Sequence, residues 1–149
     1  MEVKNLFDPA VKQEIINRIN TLKPQSQRQW GKMDVAQMLA HLQPAIQIAY
    51  GTHKPKGHFF FKLILPFFKS KLWDEKPYKK GLPTDDTFIM TGSGKDFEKE
   101  KAGLLKLVDQ FTESAINGEK HPVFGKLTKE NWSKAIWKHI DHHLKQFGA

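Results

Sequence analysis

Apolar residues recur at helical spacing in four separate stretches of this chain, and no stretch sustains the alternation of a strand. The stripes are Val11, Ile15, Ile19 and Leu22; Val35, Leu39, Leu42, Ile46 and Ala49; Phe97, Leu104, Val108, Phe111 and Ala115; and Trp132, Ile136, His139 and His143. Residues three or four apart share one face of a helix, so each stretch has an apolar side to bury and a polar side to leave in water. Four such faces predict an all-α, up-down four-helix bundle. Punctuation agrees with the stripes. Asp8-Pro9 reads as an N-cap and first helical position, and Lys23-Pro24 ends that helix. The second helix is predicted from about Met33 to Ala49, closed by Tyr50-Gly51, with Pro44 expected to kink it. Ser93 with Asp96 resembles a capping box, Asn117-Gly118 is a stop, and Thr128 caps a last helix that ends at Phe147-Gly148. Between helices 2 and 3, residues Phe59 to Ser70 are expected to form a short extra helix or lid. Gly81–Gly94 reads as an irregular connection, and His121–Gly125 as a loop.

The length, 149 residues, suits one domain spanning 1–149. There is no cysteine, which removes disulfides, thiolate metal sites and a cysteine nucleophile from this chain. The start of the chain lacks a basic leader with an apolar run behind it. The longest apolar stretch, Phe59 to Phe68, is too short to span a bilayer and is broken by Lys62 and Pro66. A soluble cytoplasmic protein is expected. The formal charge is +8, and most of the excess sits between Lys54 and Lys80, where eight lysines face Asp74 and Glu75. That field favours anionic ligands. It does not read as a nucleic-acid surface, because arginine occurs only at Arg18 and Arg28 and no recognition motif is visible.

The last stripe ends in two histidines, His139 and His143, one turn apart and pointing the same way. Two inward imidazoles need partners, and a metal ion is one. A third ligand would come from another helix. His41, on the flank of its stripe beside Met38 and Ala45, is permitted by the helical wheel and is the leading candidate. His142 lies about 100° from His143 and reads as a rim residue or one that supports the ligands from behind. Gln146 is a nearby candidate for the same supporting role, whereas Asp141 is expected to face solvent.

Two blocks carry a family resemblance. Gly31–Lys–Met–Asp–Val–Ala–Gln–Met–Leu–Ala–His41–Leu resembles the second-helix motif of the DinB-like, YfiT-like superfamily of bacterial helical-bundle proteins. Lys138–His–Ile–Asp–His–His–Leu–Lys–Gln146 resembles its final-helix motif. Within that group, His121–Pro–Val–Phe–Gly–Lys–Leu–Thr128 and the terminal Gln–Phe–Gly resemble an uncharacterised subfamily, a domain of unknown function. The resemblance implies a bundle that binds one divalent metal through three histidines, here His41, His139 and His143. Some relatives are thiol-dependent transferases or metal-dependent hydrolases, and many have no known activity. Three imidazoles without a fourth protein ligand leave open positions, as catalytic sites do, and they fit zinc, nickel or iron.

The remaining candidates are weaker. His121 reads as an exposed loop histidine or, secondarily, a substrate contact. His53 and His58 read as solvated beside lysines, and Asp85-Asp86 as a solvated loop pair. The Phe59–Phe68 segment reads first as a cover for one end of the bundle, then as a homodimer surface, then as a membrane-resting element. Two functions follow from these readings. One is a metal-dependent transferase or hydrolase acting on a small molecule, with a low-molecular-weight thiol as one candidate cosubstrate. The other is a non-catalytic metal- or small-molecule-binding or dimerising bundle.

Overall fold

In a computed structural model that describes residues 1–54, 65–81, 94–117 and 120–149, the chain is mostly helical, with four α-helices and few strands. They are α1 (Pro9–Thr21), α2 (Val35–Ala49), α3 (Phe97–Asp109) and α4 (Lys129–Gln146). A 3-10 helix, Leu65–Leu72, lies between α2 and α3 and packs on α4. Lys120–His121 (β1) pairs antiparallel with Gly125–Lys126 (β2), so the expected 121–125 loop is a minimal hairpin. Each of α1 and α2 packs against both α3 and α4. No helix among the described residues is long and apolar enough to cross a membrane.

Each helix starts where a short acceptor side chain meets its free N–H groups. The Asp8 carboxylate accepts from Ala10 N–H at 2.8 Å with Pro9 in the first turn, and Thr128 Oγ1 accepts from Asn131 N–H at 3.1 Å. Asp34 and Gln37 form a reciprocal capping box at 2.8 Å in each direction. That fixes the start of α2 at Val35, not Met33. Asp96 caps α3 with its own carboxylate, accepting from Lys99 N–H at 3.0 Å. The capping role expected of Ser93 falls outside the described residues. Helix α2 runs through Pro44 as one element. Gly51 follows it with φ 74°, as the left-handed closure predicts.

The core draws on all four stripes, but α3 ends at Asp109 and not at the stop expected at Asn117-Gly118, so Phe111 and Ala115 of its stripe lie beyond the helix. Ile15, Ile19, Leu39, Leu42, Ile46, Leu104, Val108, Phe111, Ile136, Ile140 and Leu144 are all buried. Gly103 of α3 lies against Gln43 of α2, where a Cβ would stand 2.9 Å from the Gln43 amide. The Gln43 amide donates to the Glu100 carboxylate at 2.7 Å, and Tyr50 donates to the Leu107 carbonyl at 2.8 Å. These bonds tie α2 to α3.

Helix α4 is buried on almost every face, and here the wheel misleads. Asp141, expected in solvent, is 2% exposed. Its two oxygens accept from Arg18 of α1 at 2.9 Å and from Lys145 at 2.8 Å, and Arg18 also donates to the Ala149 carbonyl at 3.0 Å. The paired charges compensate its desolvation. Lys138 is 1% exposed. Its ammonium donates to the Lys71 and Asp74 carbonyls and to the Asp74 carboxylate at 2.7–2.8 Å. His53, expected to be solvated, is half-buried, and its N–H donates to the Gln47 carbonyl. The expectations for His58, Asp85-Asp86, the 59–64 stretch and most of the 81–94 connection lie outside the described residues.

Leu42 is fully buried and Asp34 acts only as a cap. Leu42→Ala should therefore cost about 2–5 kcal/mol in chemical denaturation, and Asp34→Ala about 1 kcal/mol. A smaller loss for Leu42→Ala than for Asp34→Ala would show that α2 does not bury this face.

Candidate metal centre

Helices α2 and α4 pack together, and His41 meets His139 and His143 at that seam. His41 Nε2 lies 3.2 Å from His139 Nε2. Which of these two nitrogens donates or accepts depends on the ring tautomers. Ring centroids are 4.7–5.1 Å apart and the planes tilt 71–79°, so the three rings meet edge to face around one point. One nitrogen from each ring lies within 4.8 Å of the other two. Two nitrogens about 2.0–2.1 Å from a tetrahedral ion stand roughly 3.3–3.4 Å apart. The His41–His139 edge already has that spacing. The widest edge needs to close by about 1.4 Å at most, which ring rotation supplies. The donor set therefore fits a small divalent cation.

The electrostatics favour neutral rings. Burial first, then the neighbouring His143, His41 and His142, holds His139 well below the usual histidine range. Burial, with His41 adding to it and a hydrogen bond to the Gln146 amide oxygen opposing, takes His143 down to about 3. Burial also lowers His142, against the pull of Asp141. Neutral imidazole is the ligand form. The cluster sits in the last turns of α4, where the carbonyl end of the helix dipole favours positive charge.

Other groups surround the triad. His143 Nδ1 is 2.8 Å from Gln146 Oε1, and the Gln146 amide donates to the Trp30 carbonyl at 2.7 Å. His142 is half-buried and contacts Trp30, Tyr78 and His143, with centroids 5.0–5.8 Å apart. The Lys80 ammonium lies 4.4 Å from the Trp30 ring centre, and that of Lys138 lies 4.5 Å from Tyr78. Sequence reasoning did not single out Trp30, Tyr78 or Lys138. Trp30 stands directly before Gly31 in the quoted second-helix block, which was a usable signal. The burial of Lys138 had none, because its partners lie more than sixty residues away in the chain.

His121 is neither exposed nor among the residues that contact the triad in the described structure. Its Nδ1 accepts from the Val123 and Phe124 N–H groups at 3.1–3.2 Å, and its ring stacks on Trp132 at 5.3 Å. It ties the hairpin to α4, and burial lowers its pKa to about 4.

A family model described as "Protein of unknown function (DUF1569)" matches residues 5–149. The chain belongs to that family. Neither the curated proteins nor the solved structures searched contain a match.

The depressed histidines set a pH dependence. In the unfolded chain these rings titrate near 6.5, and in the folded protein they stay neutral well below that. Unfolding then takes up protons, so stability is complete above about pH 6.5 and is lost as pH falls toward the folded values. Thermal unfolding of metal-free protein should show that decline. His121→Gln, which keeps an acceptor but cannot titrate, should reduce the slope by up to about one proton between pH 6.5 and 4. An unchanged slope would mean that His121 is hydrated in the folded state.

Proposed function

We propose that His41, His139 and His143 hold one divalent ion, with zinc, nickel and iron as candidates, in a DinB-like up-down bundle. On this reading the chain is a metal-dependent transferase or hydrolase acting on a small molecule. The convergence of three imidazole nitrogens within 4.8 Å, at the seam of two helices, carries the reading. A bound ion would supply Lewis acidity and open coordination positions. The chain's own residues provide the rest. The triad sets the ion's position from two helices. His142 packs on His143, Trp30 and Tyr78 pack on His142, and Lys80 places positive charge over Trp30. This surrounding favours a substrate with a flat or apolar body and an anionic group. A low-molecular-weight thiol is the cosubstrate that the resemblance to thiol-dependent transferases implies.

One observation favours a second reading, a non-catalytic metal- or small-molecule-binding bundle or a homodimerising module. The nearest carboxylate on α4, Asp141, is committed to Arg18 and Lys145. Among the described residues, no acid joins the histidine group.

Zinc or cobalt titration of the full chain should show one ion per chain. Replacing His41, His139 or His143 by alanine should each abolish tight binding, while His142→Ala should retain it. Full affinity in all three triad variants would remove the assignment. Stoichiometric metal without turnover across thiol-transfer and hydrolysis substrates would favour the second reading.

A further inference from the structure

We propose that Gln146 is a positioning residue that sets the tautomer of His143, and that the Trp30-Gly31 turn in turn sets Gln146. The proposal rests on the metal reading only for the choice of one probe. A carboxamide can present either its oxygen or its NH2 group to a given neighbour. Here the choice is forced. One end of the Gln146 side chain, which is 3% exposed with its residue, lies 2.7 Å from the Trp30 carbonyl. Only the NH2 group can face a carbonyl, since two acceptors there would repel. The amide oxygen is therefore turned to His143 Nδ1, 2.8 Å away. An amide oxygen is only an acceptor, so Nδ1 carries the proton. The lone pair of the neutral ring then lies on Nε2. His143 is held ready to bind a cation through Nε2 before any cation arrives.

The turn that holds Gln146 is itself built for this contact. Gly31 has φ +81°, and a Cβ added there would overlap the Gln146 amide nitrogen. The left-handed backbone and the space for the amide both call for glycine. Two further bonds hold the turn. Gln29 N–H donates to the Gln146 carbonyl at 2.7 Å, and Arg28 Nε donates to the Gly31 carbonyl at 3.1 Å. The path runs from a backbone carbonyl, through one amide, to one ring nitrogen. His121 shows the opposite setting in the same protein. Its Nδ1 accepts two backbone N–H bonds, so its proton lies on Nε2.

The test is a two-bond proton–nitrogen spectrum of the full chain with isotope-labelled histidine, metal-free and at neutral pH. His143 should appear as the Nδ1–H form and His121 as the Nε2–H form, which serves as an internal control. Gln146→Leu should move His143 toward the Nε2–H form and lower zinc affinity by about 10–100-fold. Gln146→Glu offers a carboxylate acceptor and should keep the Nδ1–H form. Gly31→Ala should shift the His143 tautomer as Gln146→Leu does. A wild-type His143 in the Nε2–H form overturns the proposal, whether or not any variant folds. So does a Gln146→Leu protein with an unchanged His143 tautomer. If His143 is Nδ1–H as expected but zinc does not bind, the metal reading fails and this assignment stands.

Discussion

The structure depends on burying imidazole rings against one another where α2 meets α4. Three histidines share that seam, and the first cost of placing them there is desolvation. Protonation would add a second cost, repulsion between rings whose centroids are about 5 Å apart. Burial and repulsion therefore keep His139 and His143 neutral, and that is the state in which an imidazole nitrogen accepts a cation. Stability and ligand readiness impose the same protonation state. The protein can keep the site formed at neutral pH without a bound ion, at the cost of sensitivity to acid.

The rotation of α4 about its axis decides whether His139 and His143 reach His41. Two buried charges on α4 hold that rotation from different sides. Asp141 is drawn to Arg18 on α1, and Lys138 is drawn to the Lys71 and Asp74 carbonyls. Neither charge points at the triad. Buried ion pairs are weak sources of stability compared with apolar packing, and fixing geometry is their better-attested use. Apolar residues at positions 138 and 141 would allow α4 to slip against its neighbours with little penalty. Charges whose partners lie on α1 and on the 71–74 segment do not.

Much of this was legible in the sequence, and the reasons differ by element. The four stripes were legible because each helix buries a face made of its own residues. Asp8-Pro9 and Thr128 were legible because caps act within one turn. The histidine pair on α4 followed from spacing, whereas His41 needed the resemblance, since its wheel position only permitted burial. The failures share a cause. Asp141 read as a surface residue and Lys138 was not singled out, because their burial depends on Arg18 and Asp74, distant in the chain, and no helical wheel contains those partners. His121 read as an exposed loop residue because a hairpin of two residues per strand has no periodicity to detect. Asp34 and Gln37 had the residue types of a capping box at the right spacing, so the two-residue error in the start of α2 was avoidable.

The same division bears on what kind of site this is. If the three histidines were only core residues, each ring would need its nitrogens satisfied by fixed neighbours, and the simplest solution is one hydrogen bond per nitrogen to backbone. His121 has that solution on its Nδ1. His41 and His139 face each other nitrogen to nitrogen. His143 is held at Nδ1 by a side chain that is itself held by a turn with a positive-φ glycine. Spending a buried glutamine and a left-handed glycine to orient one ring makes physical sense when its other nitrogen has a ligand to meet. In a packed core, leucine at position 146 and an ordinary residue at position 31 would serve. The support behind His143 adds to the proximity of the three rings in favour of the proposed ligand site.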